Sequence, residues 1–295
     1  MAAVTDQTAT IARSLASLEL YPASCLSDRD VVLCASGTQM FINAYVPLRV
    51  LRETLRCDLP IELWHLDACE LSSVMRCLLE QLDVELVDAD TPRLTHFTPI
   101  IDGWQLKPYA ILHLWFREFL LLDTDQVSVH DLVELFGWRL FLDKGAFFWS
   151  DIIGLAADNL VWSLCGLQLS RCAAIDSGQL VVNKEQHWAA LQLTPHLNAQ
   201  GETFYRRVYG DKDKFLIGGL LAGAPNAVVP HRPSHDPRRL RAYCTELTAR
   251  NPRLRKCLGD VAALILARAT TADPPVVRSA AEILRGQYTR ACHPC

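Results

Sequence analysis

Three absences narrow the class of this 295-residue chain. It has no run of about 18 consecutive apolar residues, the length that a helix needs to cross a bilayer, so the sequence predicts no transmembrane segment. The first 30 residues do not combine a basic start with an apolar core, so we expect no signal peptide and a cytoplasmic protein. No internal repeat is present, which argues against a repeat architecture.

Two familiar nucleotide-binding loops are also missing. Neither GxGxxG nor GxxxxGK[ST] occurs, which argues against an ordinary dinucleotide or P-loop site. The 11 cysteines are odd in number and have no repeated spacing, a pattern typical of reduced thiols rather than of a disulfide framework. The terminal Cys292-His293-Pro294-Cys295 has no second ligand pair, so we assign it no metal.

The composition is that of a globular protein with an uneven charge. Half of the residues are apolar and 21% are charged, so the chain can bury a sizeable core. Residues 1–235 carry 18 basic and 28 acidic residues, whereas residues 236–295 carry 11 basic and 5 acidic ones. The acidic body disfavours nucleic-acid binding. The basic tail is either a solvated helical face or a contact for phosphates, for an acidic acceptor or for the body itself.

Apolar runs typical of buried strands alternate with helical patterns, which predicts βαβ units, a mostly parallel sheet flanked by helices and therefore an α/β fold. We expect residues 1–29 to form an N-terminal extension, residues 30–235 the main domain and residues 236–295 a basic helical C-terminal extension. The predicted strands are 30–37, 60–67, 84–88, 117–122, 145–150 and 178–183. The predicted helices are 39–56, 70–82, 107–116, 184–193 and 211–221.

Two carboxylates follow a predicted buried strand directly. Asp123-Thr124-Asp125 closes the apolar run Phe119–Leu122. Ligands of open α/β sheets bind outside the carboxyl ends of the strands, and hard carboxylate oxygens suit Mg²⁺ or Mn²⁺. The sequence therefore indicates a divalent-cation site here, and a solvated turn is the alternative.

Two further segments have features that suit a nucleotide. Cys34-Ala35-Ser36 ends the first predicted strand with small residues, which let the backbone approach a ligand closely; a tight strand-to-helix turn is the alternative. Lys107 stands at a helix start, where the helix dipole favours anions. A bound phosphate would supply that anion, and an exposed lysine is the alternative.

Two downstream segments have groups that suit a sugar. Asp176-Ser177-Gly178-Gln179 offers several hydrogen-bonding groups for hydroxyls, unless the aspartate and serine only bond their own turn. Asp211 precedes a predicted helix and either caps it or provides a carboxylate facing the positive charge of a glycosyl transition state.

Taken together, these segments resemble the fungal α-1,3-mannosyltransferase family (the Mannosyl_trans3 type) and, more loosely, other retaining glycosyltransferases of the GT-A fold. The similarity extends from about Asp30 to Ala222. It is carried by Leu59-Pro60-Ile61-Glu62-Leu63, Gly103-Trp104-Gln105-Leu106-Lys107-Pro108, Phe119 to Asp125, Asp176 to Lys184, and Tyr209-Gly210-Asp211-Lys212-Asp213.

The resemblance implies a GT-A (Rossmann-like) fold and a metal-dependent, retaining hexosyltransferase. Its donor would be a nucleotide diphosphate sugar, GDP-mannose by preference or a UDP-hexose. Asp123 and Asp125, as a DxD motif, would hold Mn²⁺ or Mg²⁺, with His231, or alternatively His235, as the candidate third ligand. The donor pocket would include Cys34, Ala35, Ser36, Lys107, Asp123, Ser177, Gly178 and Lys212. The catalytic group would be Asp211, Asp176 and Gln179.

The sequence leaves the acceptor and two other functions open. The sequence shows no second carboxylate that is identifiable as a covalent nucleophile. The preferred mechanism is therefore a front-face attack that the leaving phosphate assists. The acceptor is a small molecule, a peptide or a glycan. A sugar nucleotidyltransferase is the first alternative, although residues 34–40 have neither the repeated glycines nor the basic residues of its triphosphate loop. A catalytically inactive nucleotide-sugar-binding module is the second.

Overall fold

The computed structural model of this chain describes most of the predicted catalytic domain. The described residues are 2–22, 27–90, 105–128, 130–151, 154–168, 174–204, 207–208, 210–224 and 226–229. The predicted C-terminal extension, the terminal CxxC motif, Gly103, Trp104 and the candidate ligands His231 and His235 lie outside the described residues.

A mixed sheet forms the centre of the fold. Its strands are β1 (Ser27–Cys34), β2 (Ile61–His65), β3 (Glu85–Asp88), β4 (Phe116–Leu122), β5 (Ala146–Ser150), β6 (Ile175–Asn183) and β7 (Ala227–Val229). They are arranged in the order β3-β2-β1-β4-β6-β5-β7. Only β6 runs against its neighbours β4 and β5, and the other ladders are parallel. The expectation of an α/β fold with a mostly parallel sheet is confirmed.

Helices cover both faces of the sheet. The α-helices are α1 (Ala2–Ala16), α2 (Gly37–Arg49), α3 (Ser73–Glu80), α4 (Leu106–His113), α5 (Arg139–Lys144), α6 (Val161–Leu164), α7 (Lys184–Ala199), α8 (Gly201–Phe204) and α9 (Lys212–Ala222). A π-helical turn (Val50–Thr54) continues α2, and 3-10 turns occupy Ala68–Glu70 and Leu132–Gly137. In the described parts of the chain, no helix is both long and apolar enough to cross a membrane.

Alternation along the strands divides the core between the two faces. In β1, the side chains of Val31 and Leu33 join the layer that α2 and α3 cover, while Val32 joins the layer under α4, α7 and α9. All three are fully buried, which explains why the strand reads as a continuous apolar run rather than an alternating one.

The predicted N-terminal extension contains a docked helix and the start of the sheet. Ile11 of α1 is buried in a third cluster with Trp162 of α6 and Leu197 of α7. Thr8 Oγ1 donates to the carbonyl of Leu164 at 3.4 Å. β1 begins at Ser27, three residues before the predicted Asp30, because its first residues pair with β4.

The bounds of β6 differ from the prediction in a way that shapes the functional edge. The predicted strand begins at Gly178, but β6 begins at Ile175, so Asp176 and Ser177 belong to a strand rather than to a turn. Phe148 of β5 pairs with Leu180, yet the next residue, Trp149, pairs with Asp176. Residues 177–179 are therefore skipped by β5 and form a bulge, a common device for directing side chains near active sites.

Candidate active site

The candidate site lies at the edge where the parallel strands end. β1 and β4 end there at Cys34 and Leu122, and the reversed β6 begins there. The amide of Asp123 donates to the carbonyl of Gly178 at 2.8 Å, so the carboxylate turn is tied to the β6 bulge. Helices α4 and α9 add Lys107 and Asp211 to the same edge.

Lys107 is paired with the first carboxylate of the motif. Its Nζ lies 2.5 Å from Asp123 Oδ1, and the two side chains are 13% and 33% exposed. Burial lowers the pKa of Lys107, but the carboxylates of Asp211 and Asp123 outweigh it and raise the pKa above the ordinary lysine value. A charged lysine at the start of a helix is thus stabilised by two carboxylates, so the alternative of an exposed lysine is wrong.

Asp211 directly precedes α9, but its side chain does not cap the helix. Its side chain accepts no hydrogen bond from the backbone of the helix. Instead, Oδ1 accepts from Ser177 Oγ at 3.3 Å, while Oδ2 is buried without a hydrogen-bond partner. Burial raises the pKa of this carboxyl, and Lys107 and Lys214 oppose the rise. Asp211, which is 4% exposed, therefore bonds to a residue at the sheet edge and not to the end of the helix.

Asp176 and Gly178 combine local turn chemistry with a close approach. Asp176 Oδ1 accepts from the amide of Gly178 at 2.9 Å, so this aspartate does bond its own backbone. A Cβ at position 178 would lie only 2.0 Å from Nε2 of Gln126. Gln179 pairs with Leu122 in the β4–β6 ladder. Because Gly178 has no side chain, the side chain of Gln126, which follows the carboxylate pair, can lie against it.

Two other predicted donor-pocket residues, Ser36 and Lys212, have side-chain partners within the protein. Ser36 Oγ accepts from the amide of Leu66 at 3.0 Å, which joins the ends of β1 and β2. Lys212 is ion-paired with Asp151. Burial raises the pKa of the Cys34 thiol, and Ala35 is buried.

The carboxylate pair suits a divalent cation only in combination with other ligands. Asp125 is exposed, and Asp123 is paired with the ammonium of Lys107. Within the ranges that the structure describes, no group of three or more His, Cys, Asp or Glu side chains is placed to hold a metal. Two carboxylates completed by water and phosphate oxygens are nevertheless a usual Mg²⁺ environment, so the donor set fits.

Lys214 is a residue that sequence reasoning missed. It is fully buried one helical turn after Asp211, and its Nζ donates to Asn198 Oδ1 at 3.0 Å. Its charge lowers the pKa of Asp211. The three-residue spacing from Asp211, which places both side chains on one helix face, is the signal by which Lys214 could have been found.

A second buried charge cluster, which was also missed, lies toward the opposite end of the parallel strands, where β1 and β2 begin and the reversed β6 ends. Lys184 donates through Nζ to the carbonyls of Leu112 and Leu114, at 3.0 and 2.8 Å. Burial lowers its pKa to about 7, while Asp30 and Glu62 oppose that change. Asp30 is fully buried with both carboxylate oxygens unpartnered, and burial raises its pKa well above the ordinary value. This cluster ties β1 and β2 to the start of α7.

Comparison with a solved structure agrees with the architecture. The apo structure of the bifunctional glycosyltransferase WbbM is similar over 69% of this chain and 39% of its own, with 15% identity and a TM-score of 0.50. That likeness concerns the fold alone, and it confirms the expected GT-A architecture.

Curated relatives share sequence with this chain. The α-1,2-mannosyltransferase MNN2 of Saccharomyces cerevisiae is 22% identical over 176 residues, 45% of this chain and 30% of its own. The α-1,2-mannosyltransferase MNN21 of Candida albicans is 23% identical over 258 residues, 68% of this chain and 39% of its own. The chain thus spans about a third of the length of these relatives.

The family assignment rests on a longer match. The family Mannosyl_trans3, described as "Mannosyltransferase putative", matches residues 29–159 and 169–236. Those ranges contain every predicted site residue, from Cys34 to His235. The chain belongs to the Mannosyl_trans3 family of mannosyltransferases.

Proposed function

We propose that this protein is a metal-dependent, retaining mannosyltransferase that uses a nucleotide diphosphate sugar, GDP-mannose by preference. The observation that carries the proposal is the arrangement of Lys107, Asp123, Ser177 and Asp211 at one sheet edge. Asp211 Oδ2 remains buried and unpartnered there, an arrangement that is costly unless a ligand completes it.

The donor diphosphate would lie between Lys107 and the carboxylate turn. Mn²⁺ or Mg²⁺ held by Asp123 and Asp125 would neutralise the charge that develops on the leaving diphosphate. Lys107 would exchange part of its contact with Asp123 for a phosphate oxygen. Its raised pKa supports this role, because the lysine stays charged throughout the neutral range.

Asp211 would stabilise the sugar as positive charge grows on its ring. A carboxylate in a poorly solvated site interacts strongly with such charge. Lys107 and Lys214 both favour the ionised form of Asp211, which supports this role. Ser177 orients the carboxylate through the hydrogen bond to Oδ1.

The proposed reaction exchanges one bond at the anomeric carbon for another. The bond from that carbon to the diphosphate oxygen breaks, and a bond to the acceptor hydroxyl oxygen forms on the same face. The hydroxyl proton passes to the departing diphosphate. Asp176 and Gln179 lie at the β6 bulge, on the side where the sugar would be held.

The linkage and acceptor belong to the proposal as well. The family resemblance implies an α-1,3 linkage, whereas MNN2 and MNN21 are named α-1,2-mannosyltransferases. We propose that the product carries a mannosyl group, and analysis of its linkage decides between α-1,3 and α-1,2. The acceptor class, His231 as a ligand and cytoplasmic localisation stay predictions.

A thermal-shift panel tests the donor. The chain is melted with GDP-mannose, UDP-glucose and UDP-galactose, each in Mn²⁺ and in EDTA. A ligand that binds only the native state raises Tm by mass action, so we expect a metal-dependent shift with GDP-mannose. Equal shifts in EDTA would overturn the metal role. Binding without turnover across a set of acceptors would favour the inactive-module alternative.

A further inference from the structure

Gln126 lies directly against the β6 bulge. It follows the carboxylate pair, and its amide donates to the carbonyl of Asp123 at 3.1 Å, which closes the turn. Its side chain reaches across to Gly178, where Nε2 is 2.0 Å from the point that a Cβ would occupy. Asp176 Oδ1 lies 3.2 Å from the same point. The side-chain amide of Gln126 and the carboxylate of Asp176 thus both lie next to Gly178.

The side chain of Gln126 has an unused acceptor. Its Oε1 is buried and makes no hydrogen bond. A buried acceptor without a donor is destabilising, and most such groups in native proteins have a partner. The unused atom therefore points to a ligand that supplies a donor.

A second unused acceptor lies beside the same short stretch of β6. Asp211 Oδ2 is also buried without a partner. Asp211 is bonded to Ser177, and Gln126 lies against the next residue, Gly178. Phosphate oxygens are themselves acceptors and do not satisfy such atoms. A hexose ring, with several hydroxyl donors, matches them.

We propose that Gln126 binds a hydroxyl group of the transferred hexose and thereby contributes to the choice of donor sugar. Oε1 accepts from the hydroxyl, and the absence of a side chain at Gly178 allows the amide to take this position. The inference rests on the proposed function and adds to it a residue that selects the sugar. A site built to bond a hydroxyl discriminates against a sugar that does not present it, because the buried acceptor then stays unpaired.

Calorimetry with a matched pair of ligands tests the proposal. GDP-mannose and GDP are titrated, in Mn²⁺, into the full chain and into Gln126→Ala. We expect Gln126→Ala to bind GDP-mannose about tenfold more weakly, the equivalent of one hydrogen bond to a buried group, and to bind GDP as the wild type does. Val127→Ala, at the exposed neighbouring position, should bind both ligands as the wild type does.

A second variant moves Gln126 without removing it. In Gly178→Ala the new methyl group occupies the space of Nε2, so the flexible amide must shift while the strand remains. We expect the same selective loss of GDP-mannose affinity. Adding Gly178→Ala to Gln126→Ala should cause little further loss, since the two changes act through one side chain.

Each other outcome has a distinct meaning. Equal weakening of GDP and GDP-mannose would overturn the proposal and make Gln126 a contact for the metal or the diphosphate. Unchanged binding of both would overturn it in favour of a purely structural side chain. If the wild type binds neither these ligands nor UDP and UDP-glucose, the proposed function itself fails and this inference fails with it.

Discussion

Lys107 Nζ lies 2.5 Å from Asp123 Oδ1, so a lysine from helix α4 holds the first carboxylate of the Asp123-Thr124-Asp125 turn. This contact gives Asp123 a cationic partner within the protein. Lys107 is also near Asp211, whose charge raises its pKa. A single lysine thus links the predicted metal ligand with the predicted catalytic carboxylate.

Lys107→Met should weaken GDP binding in Mn²⁺ by about 10- to 100-fold, since hydrogen bonds to charged groups contribute about 1.5–3 kcal/mol. Calorimetry measures the loss. Lys144→Met, at an exposed position at the end of α5, is the charge-matched control and should bind GDP normally. Normal GDP affinity in Lys107→Met would remove this lysine from the phosphate site.

Asp125→Asn should abolish metal-dependent hydrolysis of GDP-mannose and leave Tm within about 1–2 °C of the wild type, because the exposed side chain contributes little to packing. Hydrolysis is followed by release of GDP in Mn²⁺. Glu134→Gln, an exposed acid on the Leu132–Gly137 turn, serves as the control. An unchanged rate would exclude Asp125 as a metal ligand.

Asp211→Asn should lower kcat by about 100-fold or more and change KM for the donor little, since its charge acts on the transition state. Initial rates over a range of GDP-mannose concentrations separate the two constants. The amide retains the size and the hydrogen bond to Ser177, so the fold should persist, which circular dichroism checks. A rise in KM at constant kcat would make Asp211 a binding residue only.

Lys184→Met should lower the free energy of unfolding by about 3 kcal/mol, because it removes the cation from a buried cluster that contains Asp30 and Glu62. Asp30→Asn in that background should recover part of the loss. Urea denaturation of the four proteins in the cycle gives the coupling, which we expect to be about 1–3 kcal/mol. Purely additive losses would show that Lys184 and Asp30 do not interact.

Acid should destabilise the protein through His187. This buried ring donates through Nε2 to the carbonyl of Lys144 at 2.8 Å, and burial lowers its pKa. The unfolded chain therefore binds a proton more readily than the native one, so stability is lost as the pH falls below about 6.5. His187→Gln, which keeps a donor, should lose less stability than the wild type in urea titrations at pH 7.5 and 5.5. Equal losses would assign the acid sensitivity to other groups.

The fold class and the position of the paired carboxylates could be predicted from the sequence, because both depend on local residue patterns. The alternation of apolar runs with helices predicted the α/β class, because a segment buried on both faces of a sheet is apolar throughout, as residues 31–33 of β1 and 119–122 of β4 are. The position of Asp123 and Asp125 followed from the same reasoning, since they end the β4 run directly. Capping alone was the wrong interpretation of Asp211, because sequence cannot show which way a side chain turns at a helix start.

The chain's own order of residues determined the strands, the helices and the carboxylates at a strand end, because these depend on neighbours within a few positions. Only the tertiary structure placed Lys107, Ser177 and Asp211 beside Asp123 and set Gln126 against Gly178. Those contacts depend on the reversed β6 and its bulge, where pairing with two strands outweighed the turn preference of Asp-Ser-Gly. Such pairing joins residues 25 to 65 positions apart, and no local pattern records it.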